Sequence, residues 1–175
     1  MHDHLRYKTL LPRFGALIVD GVLFLLFSGL LDLLALWLPG SASNSLMNAG
    51  AYIVFTLYHI IAHGRYGMTV GKWVAKVQVC SIDGPETGGI GYAKAARREF
   101  LPFMCWLLDL DLLQSVSGFF AVVGWIGWVL WLGDIVAAFF DTRNRALHDQ
   151  FADTVVVNLR YPPVPQEFDF EAPQP

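Results

Sequence analysis

RFGALIVDGVLFLLFSGLLDLLALW, residues 13–37, decides how the rest of the chain must fold. It is apolar for longer than a soluble core helix requires, yet it carries Asp20 seven residues after Arg13. About 20 apolar residues rising 1.5 Å each cross a hydrocarbon layer of roughly 30 Å. The stretch therefore predicts a membrane helix with an acid inside it. Such a group costs roughly 2.5–3.5 kcal/mol on insertion scales and by default marks a functional site.

The composition of the whole chain agrees. Of its 175 residues 55% are hydrophobic and 15% charged, with a mean hydropathy of +0.46. That profile excludes an ordinary soluble domain and leaves room for one compact membrane bundle. The net charge of −3 says little, because the placement of charge matters more than its sum. Cys80 and Cys105 lack metal-ligand spacing and are expected to be free thiols. The first apolar run exceeds the roughly 7–15 residues of a signal-peptide core, so a retained anchor is expected.

Outward from this span, Arg6 and Lys8 lie in a polar head, and Pro12 suits the first turn of a helix. Pro39-Gly40 stops the span. With the first span at about 14–38, further spans are predicted at about 46–63, 97–114 and 117–140. The third is short, and a re-entrant or interfacial segment is its alternative. The fourth holds Asp134, and Gly124, Gly127 and Gly133 would let another helix approach closely.

Between the second and third spans the chain turns Gly-rich and basic. Within that region KVQVCSI, residues 76–82, alternates loosely at period two, and residues 91–100 resume helical spacing with basic residues on one side. The first reads as a strand and the second as an interfacial amphipathic helix. Residues 154–159 read as another strand, which a lone strand's instability predicts will pair with the first. Residues 161–175 read as a Pro-rich, disordered tail.

Orientation follows from the basic residues. All 12 Lys and Arg fall in the head, the central region or the segment after the last span, and none in residues 39–45 or 109–117. Four crossings with both termini in the cytoplasm satisfy the positive-inside rule, whereas three would break it.

Arg13 and Asp20 share one helix face two turns apart, too far for contact but near enough to be linked through water or another helix. Asp134 lies seven residues before Asp141, so Asp20 and Asp134 are expected at similar depth, roughly 10 Å inside the bilayer. A carboxylate pair there would share a proton or hold a cation. The alternatives are plainer: a snorkelling Arg13, hydrogen-bonded structural acids at Asp20 and Asp134, and an Asp32 that reaches water. His59 and His63 have the i, i+4 spacing of metal ligands but no recognisable third ligand, so no metal or cofactor is expected. No phosphate loop, Gly-x-Ser-x-Gly or zinc-protease motif is present, which argues against an enzyme, and nothing suggests nucleic acid.

Three blocks together resemble one family. Arg13-Phe-Gly-Ala with Asp20-Gly is similar to the opening of the RDD family, named for one arginine and two aspartates. Met68-Thr-Val-Gly-Lys72 resembles its Gly-x-Thr-x-Gly-Lys segment, and Asn144-Arg-Ala-Leu-His-Asp149 with Ala152-Asp-Thr-Val resembles its close, where Gly is usual at position 153. The resemblance implies that Arg13, Asp20 and Asp149 are the naming residues, in a bacterial family for which transport, including cation/proton antiport, has been proposed. Asp134 is not part of that pattern.

The expectation is an all-α membrane fold: a four-span polytopic helical bundle over residues 1–160, with a small cytoplasmic cap of a two-stranded ribbon and an amphipathic helix. It would sit in a bacterial inner membrane, self-associate, and act in transport through Asp20. Arg13 would tune it, with Asp149 and His148 at the cytoplasmic mouth and a small cation or proton as ligand. The rival is an accessory subunit in which Arg13, Asp20 and Asp149 form a buried ion-pair network docking the cap. A lipid-modifying enzyme ranks last.

Overall fold

The computed structural model describes residues 3–37, 42–84, 88–108 and 118–161. A turn of helix, α1 (Asp3–Arg6), leads into α2 (Leu10–Ala35), α3 (Ala42–Tyr66), α4 (Val70–Ala75) and β1 (Val77–Ser81). There follow α5 (Tyr92–Leu108), α6 (Gly118–Phe140), α7 (Leu147–Phe151) and β2 (Thr154–Asn158).

Helix α2 starts before Arg13, whose N–H donates to the Thr9 carbonyl at 2.8 Å. Pro12 stands in the first turn, where no intrahelical partner waits for the N–H it lacks. The helix is inverted relative to a water-soluble one. Asp20 is 5% exposed, while Leu25 and Leu26 are 67% and 68% exposed. Helix α6 repeats this, with Asp134 buried and Trp125, Val129 and Phe139 exposed. Burying acids and exposing leucines makes sense where the surroundings are hydrocarbon.

The four long helices form a row in which α2 packs on α3, α3 on α5 and α5 on α6. Two of them, α2 and residues 122–140 of α6, are long and apolar enough to cross a membrane. Of the expected four spans, then, two meet that test among the described residues. The first half of α5 is strongly polar, with Lys94, Arg97, Arg98 and Glu99.

Two local expectations need correction. The interfacial helix and third span are one continuous helix, α5, with Pro102 inside it. Its basic side is not wholly solvated either, since Arg98 is buried under the ribbon along with Ala95. The central region also holds a helix that its Gly-rich texture concealed. Thr69 starts α4 by accepting the Lys72 N–H at 3.3 Å, and Lys76 ends it at φ 59°.

The ribbon forms as expected, antiparallel, with Val79 opposite Val156 and Cys80 opposite Val155. Both faces are covered, which explains why its sequence runs Val-rich instead of alternating cleanly. Val77, Val79 and Val156 pack with Ile90 and Ala95; Cys80, Val155 and Val157 pack with Tyr7. Both cysteines are buried. The loop at 38–41, the segment 109–117 with Asp109 and Asp111, and residues 162–175 of the tail lie outside the described residues.

Candidate functional site

The start of α2, the first half of α5, the end of α6 and α7 meet at one end of the bundle, under the ribbon. Asp149 is the centre of this meeting. The chain leaves α6 through a turn with Asn144 at φ 51°, and α7 then points its Asp149 side chain back at the bundle. Oδ2 accepts from Arg13 Nη1 at 2.6 Å and from the Ala146 N–H at 3.1 Å. Oδ1 lies 2.7 Å from Arg98 Nη1. The Asp149 side chain is fully buried. Burial alone would push its carboxyl up, but the Arg13 and Arg98 guanidiniums outweigh that and hold it well below the usual carboxylate range.

A second carboxylate joins through His148. Asp134 Oδ1 accepts the His148 N–H at 2.7 Å, and Oδ2 lies 2.6 Å from His148 Nδ1. On the other side of the ring, Arg98 Nη2 is 3.1 Å from Nε2. A guanidinium can only donate, so Nε2 accepts and Nδ1 carries the proton toward Asp134. Thr154 of β2 completes the set: its hydroxyl accepts from Arg98 at 3.4 Å and donates to the Asp149 carbonyl at 3.2 Å. One charge network thus spans three long helices, α7 and the ribbon.

Asp20 belongs to a different set. Its Oδ2 accepts the Thr69 hydroxyl at 2.6 Å, and Oδ1 accepts the Gly71 N–H at 2.9 Å. The Tyr58 hydroxyl approaches Oδ1 at 3.4 Å and itself accepts the Val70 N–H at 2.8 Å. Gly71 is required by close approach: a Cβ there would collide with the Ala16 carbonyl oxygen and the Asp20 carboxylate. Every donor to Asp20 is neutral, and among the described residues no cationic side chain lies within ion-pair distance of it.

A third polar group lies between α3 and α5. His63 Nδ1 is 3.2 Å and His59 Nδ1 3.7 Å from the Glu99 carboxylate, with the two imidazoles stacked. His63 is almost completely buried. Lys72 lies in their field: burial first, and then the Arg98 charge, push its ammonium down to about 8. Among the described residues no group of three or more His, Cys, Asp or Glu side chains is arranged to hold a metal ion.

Of the residues singled out from sequence, the structure brings Arg13, Asp134, His148 and Asp149 together and sets Asp20 apart. Among the described residues no direct contact joins Arg13 to Asp20 or Asp20 to Asp134, and each has its own partners. Asp32 is exposed on α2. Sequence reasoning missed Arg98, Thr69, Gly71 and Glu99 as site residues. Arg98 was hidden in a run of basic residues that looked like one solvated face. The signal for Thr69 and Gly71 was present in the Gly-x-Thr-x-Gly-Lys resemblance, but nothing local said that it faced Asp20.

A family model described as the RDD family matches residues 7–153. No curated protein and no solved structure matches the chain.

Proposed function

The chain belongs to the RDD family, and from that premise we propose that it is a multi-pass transport-type protein, exchanging a small cation for protons at Asp20. The observation that carries this reading is the contrast between its two buried aspartates. Asp149 is neutralised by two guanidiniums, whereas Asp20, inside the apolar helix α2, has only neutral donors. An acid inside a membrane-type helix with no ion-pair partner is by default a candidate site for ion or proton exchange. The Thr69 and Tyr58 hydroxyl oxygens beside it supply the oxygen-rich surroundings that hard cations prefer.

On this reading all four long helices cross a bacterial inner membrane, the ribbon and both termini lie in the cytoplasm, and α4 lies at the membrane's cytoplasmic boundary, as the basic residues favour. The Arg13–Asp149–Arg98 network fixes the cap against the bundle, and His148 with Asp134 stands at the cytoplasmic mouth. A chain of this size forms a permeation path by self-association. The test is ion-driven pH change in vesicles reconstituted with the parent protein or Asp20→Asn. Proton movement on adding sodium, potassium or lithium, lost in a variant that remains folded, supports exchange. No movement with the parent refutes it.

A second reading has its own observation. Asp20 pins α4 to α2 through the Thr69 hydroxyl and the Gly71 N–H, so its role is equally that of a docking acid in a non-transporting accessory subunit. That reading expects Asp20→Asn to lose the folded protein, with the parent carrying no flux.

A further inference from the structure

Beside α4 the surface opens into a groove of about 470 Å³ lined by Arg65, Tyr66, Thr69, Val70, Trp73 and Gln78, among others. Its floor is fixed, because the Gln78 amide donates to the Tyr66 carbonyl at 3.3 Å and the Gly88 carbonyl at 3.1 Å. The outer face of α4 is apolar and uncovered, with Val70, Trp73 and Val74 exposed by 46%, 61% and 51%. The inner face is anchored on α2 through Gly71, at the level of Asp20. Helix α4 therefore lies beside a membrane-type helix, and its own uncovered side chains are apolar.

Two exposed cations flank this face. The Arg65 guanidinium lies 5.5 Å from the Tyr66 ring centroid, and the Lys76 ammonium 5.3 Å from that of Trp73. No carboxylate forms an ion pair with either, among the described residues. Held against aromatic faces, both keep free N–H donors. Apolar side chains with paired aromatic and basic neighbours at their rim suit the boundary between acyl chains and head groups.

We propose that this groove is a binding site for one anionic phospholipid, its phosphate held by Arg65 and Lys76 and its acyl chains laid over Val70, Trp73 and Val74. A zwitterionic lipid brings its own cation to the same place and loses that advantage. Basic residues near a bilayer surface each favour anionic lipid by about five-fold. The inference is independent of whether Asp20 exchanges ions.

The test uses the full chain in non-ionic detergent, offered equimolar phosphatidylglycerol and phosphatidylcholine, with bound lipid counted by native mass spectrometry. Phosphatidylglycerol is expected to be retained at least about five-fold over phosphatidylcholine. The preference should vanish in Arg65→Gln/Lys76→Gln and persist in Arg143→Gln, whose cation lies elsewhere, over Tyr7. Both substitutions are at exposed positions, and circular dichroism reports whether the helices remain. Equal retention of the two lipids overturns the proposal, as does a folded double variant that keeps the preference. Displacement by millimolar inorganic phosphate also overturns it, since that identifies a free-anion site.

Discussion

Arg13 and Asp149, 136 positions apart in the chain, meet at 2.6 Å with the carboxylate fully buried. The contact joins the first turns of the first long helix to the short helix after the last one. It brings two of the three residues singled out by the sequence resemblance into one bond, while the third, Asp20, serves a separate junction.

Removing the Asp149 charge strands two guanidiniums. Asp149→Asn should cost about 3–5 kcal/mol, the usual penalty for breaking a buried pair from one side. Arg13→Gln/Asp149→Asn should cost less than the two single changes added together. A double-mutant cycle on unfolding in detergent checks this; strict additivity would show that the pair is not coupled.

The same carboxylate sets an acid limit. Its folded pKa lies below the 3.8 of the unfolded chain. Its stabilising contribution is therefore complete above about pH 4 and is lost progressively as pH falls below that. Unfolding followed from pH 7 to pH 3 should show parent stability declining in the lowest part of the range. Asp149→Asn, already weaker at pH 7, should lack that part of the decline.

Gly71 is the tightest point between α4 and α2. Gly71→Ala should detach α4 from Asp20, costing about 1–3 kcal/mol through overpacking and a stranded carboxylate. Hydrogen exchange should then rise at the Gly71 and Val70 amides. Unchanged protection there would mean that α4 is held by other contacts.

Asp153 has φ 52°, a left-handed conformation that glycine adopts without penalty. Asp153→Gly should therefore be neutral or stabilising by up to about 1 kcal/mol, and Asp153→Val destabilising by a similar or larger amount. Melting temperatures of the three proteins decide the order. Aspartate is among the non-glycine residues that tolerate this conformation best.

Local signals carried much of this architecture. The long apolar runs fixed the outer helices, loose period-two spacing found β1, a Val-rich run found β2, and their pairing followed because a lone strand is unstable. What escaped was tertiary. Arg98 reads like Arg97 next to it, yet one turns under the ribbon to Asp149 while the other faces outward; only the fold distinguishes them. The helix α4 is six residues long, too short for a periodic pattern, and its stability comes from Asp20, about fifty positions earlier. Position along a span says nothing about azimuth: Asp20 turns to Thr69 and Gly71, Asp134 turns to His148, and the two acids share no partner among the described residues.

Strand β2 and Asp149 are translated after all four long helices, and both have their partners far upstream. During biosynthesis Arg13 and Arg98 must consequently wait, unmatched, until the ribosome has delivered the final turn and strand. A nascent chain stalled before that moment carries two guanidiniums without the carboxylate that pairs them. Delivery of α7 and β2 and closure of the charge network are, in this architecture, the same event.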